Sequence, residues 1–185
     1  MKSSTTDHRI EALRETAQQS ARYPFRTEHR GGPLKPEQHR QLIHWARACI
    51  LHVLPFFDRV LDERLKHALD VARAWEEGKT SVGDARQAAF GAIRVANEWT
   101  DPAAIAIARG IGHMVATAHM ADHAPGAAEY MLKALAIEGK PMDTERVWQN
   151  EALPPEIREL VLSSREKKRK FWESHICRTL KKIGA

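Results

Sequence analysis

Residues 101–124, Asp-Pro-Ala-Ala-Ile-Ala-Ile-Ala-Arg-Gly-Ile-Gly-His-Met-Val-Ala-Thr-Ala-His-Met-Ala-Asp-His-Ala, constrain the fold of this chain more than any other stretch. Asp101 can cap a helix, and Pro102 suits its first turn. Beyond them the segment is apolar on nearly every side, so a helix here has to be covered all round and not along one stripe. Set into that small-residue surface are Arg109, His113, Thr117, His119, Asp122 and His123. Buried polar groups need partners, so the segment demands a specific environment at the centre of the fold. The spacing predicts a central helix over 101–124 with Ile105, Ile107, Ile111 and Val115 buried.

The segments around it read as helices too. Over 37–53, Leu42, Trp45, Ala46, Cys49, Ile50 and Val53 share one face. Pro55 with Phe56 and Phe57 marks a turn. A helix from Asp62 to Glu77 buries Leu65, Ala68, Leu69, Ala72 and Trp75, and Gly78 stops it. The next, over 84–99, carries Ala85, Ala88, Ala89, Ala92, Ala96 and Trp99. Another is expected over 126–138, ended by Gly139 and Pro141. Pro154-Pro155 opens a helix with Ile157, Leu160 and Val161 inward, and a C-terminal piece repeats Trp172, Ile176, Leu180 and Ile183. No segment alternates apolar and polar residues as a strand would. At 185 residues the chain suits one domain. The prediction is all-α: a single-domain compact bundle of six to eight helices around a central apolar helix. Its parts are a polar N-terminal arm (1–35, with a short helix or loose segment near 9–20), an all-helical domain (36–162) and a basic C-terminal helix or tail (163–185).

Charge is unevenly placed. The net charge is +5, but residues 163–185 hold eight Lys and Arg against Glu166 and Glu173, which gives +6 there and −1 elsewhere. A basic run over 165–182 can touch nucleic acid, although a solvated helix face explains it as well. The N-terminus has no apolar signal core. Arg109, the histidines and Asp122 argue against 101–124 as a membrane span. Cys49 and Cys177 form neither a zinc-ribbon spacing nor a disulfide framework. The expectation is a cytoplasmic protein with no membrane partner.

Candidate chemistry gathers at the end of the central segment. On a continuous helix His119 and His123 are four apart and share a face, with Asp122 beside them. Two histidines and a carboxylate could hold zinc. The H-E-x-x-H pattern fails, since Met120 follows His119. His113 would lie about 240° away from His119 by the 3.6-residue repeat. Too few ligands converge, so no metal and no cofactor are expected. Arg109 is read as held in a buried ion pair, with Asp62, Asp70, Asp84 and Asp101 within plausible reach, or in a cluster of carbonyls; an anion site for a ligand is the sharper alternative. The binding set is therefore Arg109, His119, Asp122 and His123, with no catalytic residue. No phosphate-binding glycine loop or nucleophile elbow occurs. Cys49 suits an inert buried thiol. Trp148 and Trp172 lie in polar stretches and suit exposed partner anchors.

Certain residues also carry a family resemblance. They are Asp62-x-Arg64, Ala72-Arg73-x-Trp75-x-x-Gly78 and Ala85-Arg86-x-Ala88-Ala89, then Ala108-Arg109-x-x-Gly112 and Ala116-Thr117-Ala118-His119-x-x-x-His123-Ala124-x-Gly126-Ala127-Ala128-x-Tyr130-x-x-Lys133-Ala134. Over roughly 37–162 the chain resembles the immunity-five-like bacterial immunity proteins of polymorphic toxin systems. The resemblance implies a small all-helical protein that neutralises a cognate toxin by direct, non-catalytic binding. The alternative from the residues themselves is a helical enzyme binding a metal or small ligand through His119, Asp122 and His123. Inhibitors of basic nuclease toxins are expected to be acidic; a body of −1 with a +6 tail points away from a nuclease.

Overall fold

Seven α-helices follow one another through short turns in the computed structural model, which describes residues 23–58 and 60–184; the helix expected near 9–20 lies outside the described residues. They are α1 (Pro36–Val53), α2 (Glu63–Glu76), α3 (Val82–Glu98), α4 (Pro102–Ala116), α5 (Ala124–Ile137), α6 (Met142–Glu151) and α7 (Pro155–Ile183). Among the described residues there is no strand, only an isolated bridge between Thr27 and Leu34. No helix among the described residues is long and apolar enough to cross a membrane.

Local chemistry sets the helix ends. The Asp62 side chain accepts from the Arg64 N–H at 2.8 Å to start α2. Ser81 and Asp84 cap α3 reciprocally, each side chain taking the other's backbone N–H. Asp101 accepts from the Ala104 N–H at 2.9 Å, and Pro102 opens α4. Gly78 and Gly139 close α2 and α5 with φ of 72° and 64°, the left-handed conformation glycine adopts without strain.

The central helix is α4. It packs between α3 and α5, with α1 and α2 against its other sides. Small side chains make the close approach possible: Gly110 has no Cβ because one would fall on the Met131 methyl and 3.3 Å from Ile50 Cδ1. At Gly112 a Cβ would meet Ala92 and Ile93 at 3.5 Å, ordinary contact. Gly112→Ala should therefore be tolerated, whereas Gly112→Leu overpacks the α3–α4 contact and should cost about 1–3 kcal/mol in a urea melt. Ile107, Ile111 and Val115 are buried as expected, but Ile105 is only half-buried.

The structure corrects the expected helix over 101–124: α4 ends at Ala116. The Thr117 hydroxyl donates to the His113 carbonyl at 3.1 Å, competing with the backbone ladder. The Thr117 carbonyl is taken by His39 Nε2 at 2.6 Å. Met120 is extended, and Pro125, which has no N–H, sits in the first turn of α5, reached through one 3-10 turn at Ala121–His123.

Two further features differ from the sequence reading. A helix over Met142–Glu151 was not expected, and the two expected C-terminal pieces are one 29-residue helix that runs through residue 162 without a break. What holds α7 is a buried polar cluster. Arg165, only 7% exposed, donates Nε to Glu129 Oε1 at 2.9 Å, Nη2 to Gln149 Oε1 at 3.0 Å and Nη1 to Asn150 Oδ1 at 2.8 Å. Gln149 Nε2 in turn donates to Glu145, whose other oxygen pairs with His52 Nδ1 at 2.7 Å. Trp172 is buried against Tyr130, and Trp148 is half-buried and stacked on His52 at 3.6 Å, so neither is the exposed anchor the sequence suggested.

Candidate functional site

Three imidazoles meet where α4 gives way to α5. Because the chain turns after Ala116, His123 swings back over His113, with the two Nδ1 atoms 3.2 Å apart. One Nδ1–H faces the other ring's lone pair, so the pair is stable only when at least one ring is neutral. His113 also packs on Tyr130, ring centroids 5.1 Å apart. Burial pushes the His113 pKa down to about 4, helped by the neighbouring charges of His123, Lys168 and Arg109. Gly126 makes the approach possible: a Cβ there would sit 2.8 Å from His113 Nδ1.

His119 stands 5.5 Å from His123, centroid to centroid. Its Nδ1 is buried and has no hydrogen-bond partner among the described residues. Burial, with Arg86 and Arg30 nearby, lowers its pKa, and Asp122 opposes the shift. Two depressions meet at this ring. One, of about 270 Å³, is lined by Phe25, Arg30, His39, Trp75, His119 and Asp122. The other, of about 170 Å³, is lined by Arg86, Phe90, Ile93, His113, His119 and His123.

Of the four residues the sequence singled out, His119, Asp122 and His123 do cluster, but through a turn and not along a helix face. On a continuous helix His113 points away from His119; the break after Ala116 brings His123 onto His113 and does not turn it away from the cluster, as a break at Pro125-Gly126 alone would. Arg109 is elsewhere on α4, one turn before His113, and is half-buried. Among the described residues the expected ion pair is not formed: Asp62 binds Arg64, Asp70 binds Arg73, Asp84 caps α3 and Asp101 caps α4. Among the described residues no three His, Cys, Asp or Glu side chains are placed to hold a metal ion. Cys49 is buried, and burial holds its thiol well above the usual range, which leaves it inert as a nucleophile.

Beside the histidines, α3 turns an apolar strip outward. Val82, Arg86, Phe90 and Ile93 recur at helical spacing on its outer face, with Phe90 50% and Ile93 42% exposed. Phe90 and Ile93 also wall the smaller depression, so strip and imidazoles form one surface. The first 31 residues and α7 beyond Glu156 stand outside the part of the chain that comparison identifies. The chain belongs to the Imm-5 like putative immunity protein family, whose model matches residues 32–156. That span covers α1 to α6, the histidine corner and the strip. No curated protein and no solved structure matches the chain.

Proposed function

We propose that this protein neutralises a cognate bacterial toxin by binding it directly, without catalysis, in the cytoplasm. The observation that carries the reading is the exposed strip of Phe90 and Ile93 on α3, continuous with His119 and His123 and flanked by Arg86. Large apolar side chains exposed together and rimmed by polar groups are what a protein partner buries. Family membership supplies the class of partner. His119, Asp122 and His123 form the polar rim of the proposed face. Two cysteines outside any disulfide, Cys49 and Cys177, suit a reducing compartment.

The test is titration calorimetry against the toxin encoded beside this protein. Phe90→Asp and Ile93→Asp should each weaken binding by roughly 30-fold or more, the effect of removing an interface hot spot of about 2 kcal/mol. Phe90 faces solvent, so Phe90→Asp should melt as the parent does; Ile93 also packs beside Gly112, so the binding of Ile93→Asp is compared at a temperature where its own melt shows it folded. Undiminished affinity in the double variant sinks this face. A second reading rests on the unpartnered His119 Nδ1 beside the 270 Å³ depression, which suits a small ligand with a hydrogen-bond donor or acceptor. Substrate turnover that His119→Ala abolishes would favour it over toxin binding.

A further inference from the structure

Among the described residues two Lys or Arg side chains are buried, and the fold treats them differently. Arg165 is matched by Glu129 and by two side-chain amides. Lys133, on α5, is only 8% exposed, and its ammonium meets no carboxylate among the described residues; the neighbour it does have is His175 Nε2 at 3.0 Å. An ammonium carries three donors, so one imidazole leaves two to be met. The groups converging on it are cationic. They are Arg109 from α4 and Arg178 and Lys182 from α7, on the helix face that also carries His175 at spacings of three and four; His175, its own pKa lowered by burial, faces the ammonium as a neutral ring. Burial, helped by the charges of Arg109, Arg178 and Lys182, pushes the Lys133 pKa down to about 8.

The surround holds this arrangement in place. His175 stacks parallel to Phe171 at 5.9 Å and meets Tyr130 and Trp172 edge-on. Arg178 and Lys182 are exposed, and Arg109 and His175 are half-exposed, so basic groups with access to solvent surround the buried Lys133 side chain. Like charges gathered on three separate helices repel one another unless an anion sits among them. A carboxylate would bring one negative charge and two acceptors. A terminal phosphate brings two charges and three acceptor oxygens, which match an Arg fork, an ammonium and an imidazole N–H together.

We propose that Lys133, Arg109, His175 and Arg178 form a binding site for a dianionic phosphate group, carried by a small molecule and separate from the α3 face. The site requires no toxin and is measured on the protein alone. Titration calorimetry at fixed ionic strength, in a buffer free of oxyanions, compares inorganic phosphate, pyrophosphate and a short single-stranded oligonucleotide without terminal phosphates. Pyrophosphate should bind, and Lys133→Met and Arg109→Gln should each raise its dissociation constant about tenfold or more, as loss of a charge-assisted hydrogen bond does. Phe90→Asp should bind it unchanged, so failure of this site and failure of the toxin-binding face are told apart. Arg178→Gln, on the solvent side, gives the same reading should Lys133→Met not fold. Heat no greater than that of equimolar chloride overturns the proposal. Pyrophosphate affinity indifferent to all three substitutions overturns it, and so does binding of the oligonucleotide alone, which would make the surface one for phosphodiester backbones.

Discussion

Arg165→Met is expected to cost about 3–5 kcal/mol of folding stability, because it leaves buried groups without their partner. Methionine approximates the volume and removes the charge. Glu129 then keeps only Arg146, at 3.2 Å, in place of two guanidinium groups. The Gln149 and Asn150 oxygens lose their donors, and an unmet buried acceptor carries its desolvation penalty in full. The loss should appear as a lower urea midpoint with an unchanged slope. Glu129→Leu combined with Arg165→Met should recover much of it, since removing both partners of a buried pair is far cheaper than removing one. A single-variant loss below about 1 kcal/mol would show that water reaches the cluster and that the ion pair does not anchor α7.

The helical class and most of the core were legible in the sequence, because helices announce themselves by short-range periodicity. Leu42, Trp45, Ala46, Cys49, Ile50 and Val53 share the buried face of α1 just as their spacing requires. The all-round apolar character of 103–116 likewise places α4 at the centre. What escaped depends on contacts distant in sequence. Met142–Glu151 offers hardly any apolar stripe, and its inward residues, Glu145 and Gln149, are polar. They are buried because His52 meets Glu145, Arg165 meets Gln149, and the two bond each other, from positions up to 93 residues away. Trp172 sits in a charged stretch and looks exposed for the same reason. The histidine corner was half legible. Its residues could be named, but the choice between a shared helix face and a turn rested on Thr117 and Pro125. Arg109 was misassigned because every nearby aspartate was already committed to a cap or to another arginine.

Acidification should weaken the fold before the carboxylates titrate, and His113 is the main cause. In the folded chain burial holds its pKa near 4, whereas an unfolded chain restores about 6.5. Between those values the unfolded state binds a proton that the native state refuses, so stability falls as pH falls. The contribution is intact above pH 6.5 and fades downward until the native ring also protonates near pH 4. Two and a half units at about 1.4 kcal/mol each amount to a loss of about 3 kcal/mol. His39, whose Nε2 holds the Thr117 carbonyl, and His119 are also shifted down by burial, so they act in the same direction. The carboxylates of Asp62, Asp84 and Glu98, held low by their hydrogen bonds, add losses only at the acidic end. Urea unfolding at pH 7 and pH 4.5 measures the effect, and His113→Gln should flatten most of the difference while keeping a polar group facing His123. A profile in which wild type and His113→Gln lose stability equally would mean that His113 accepts a proton in the native state and that burial does not hold its ring neutral.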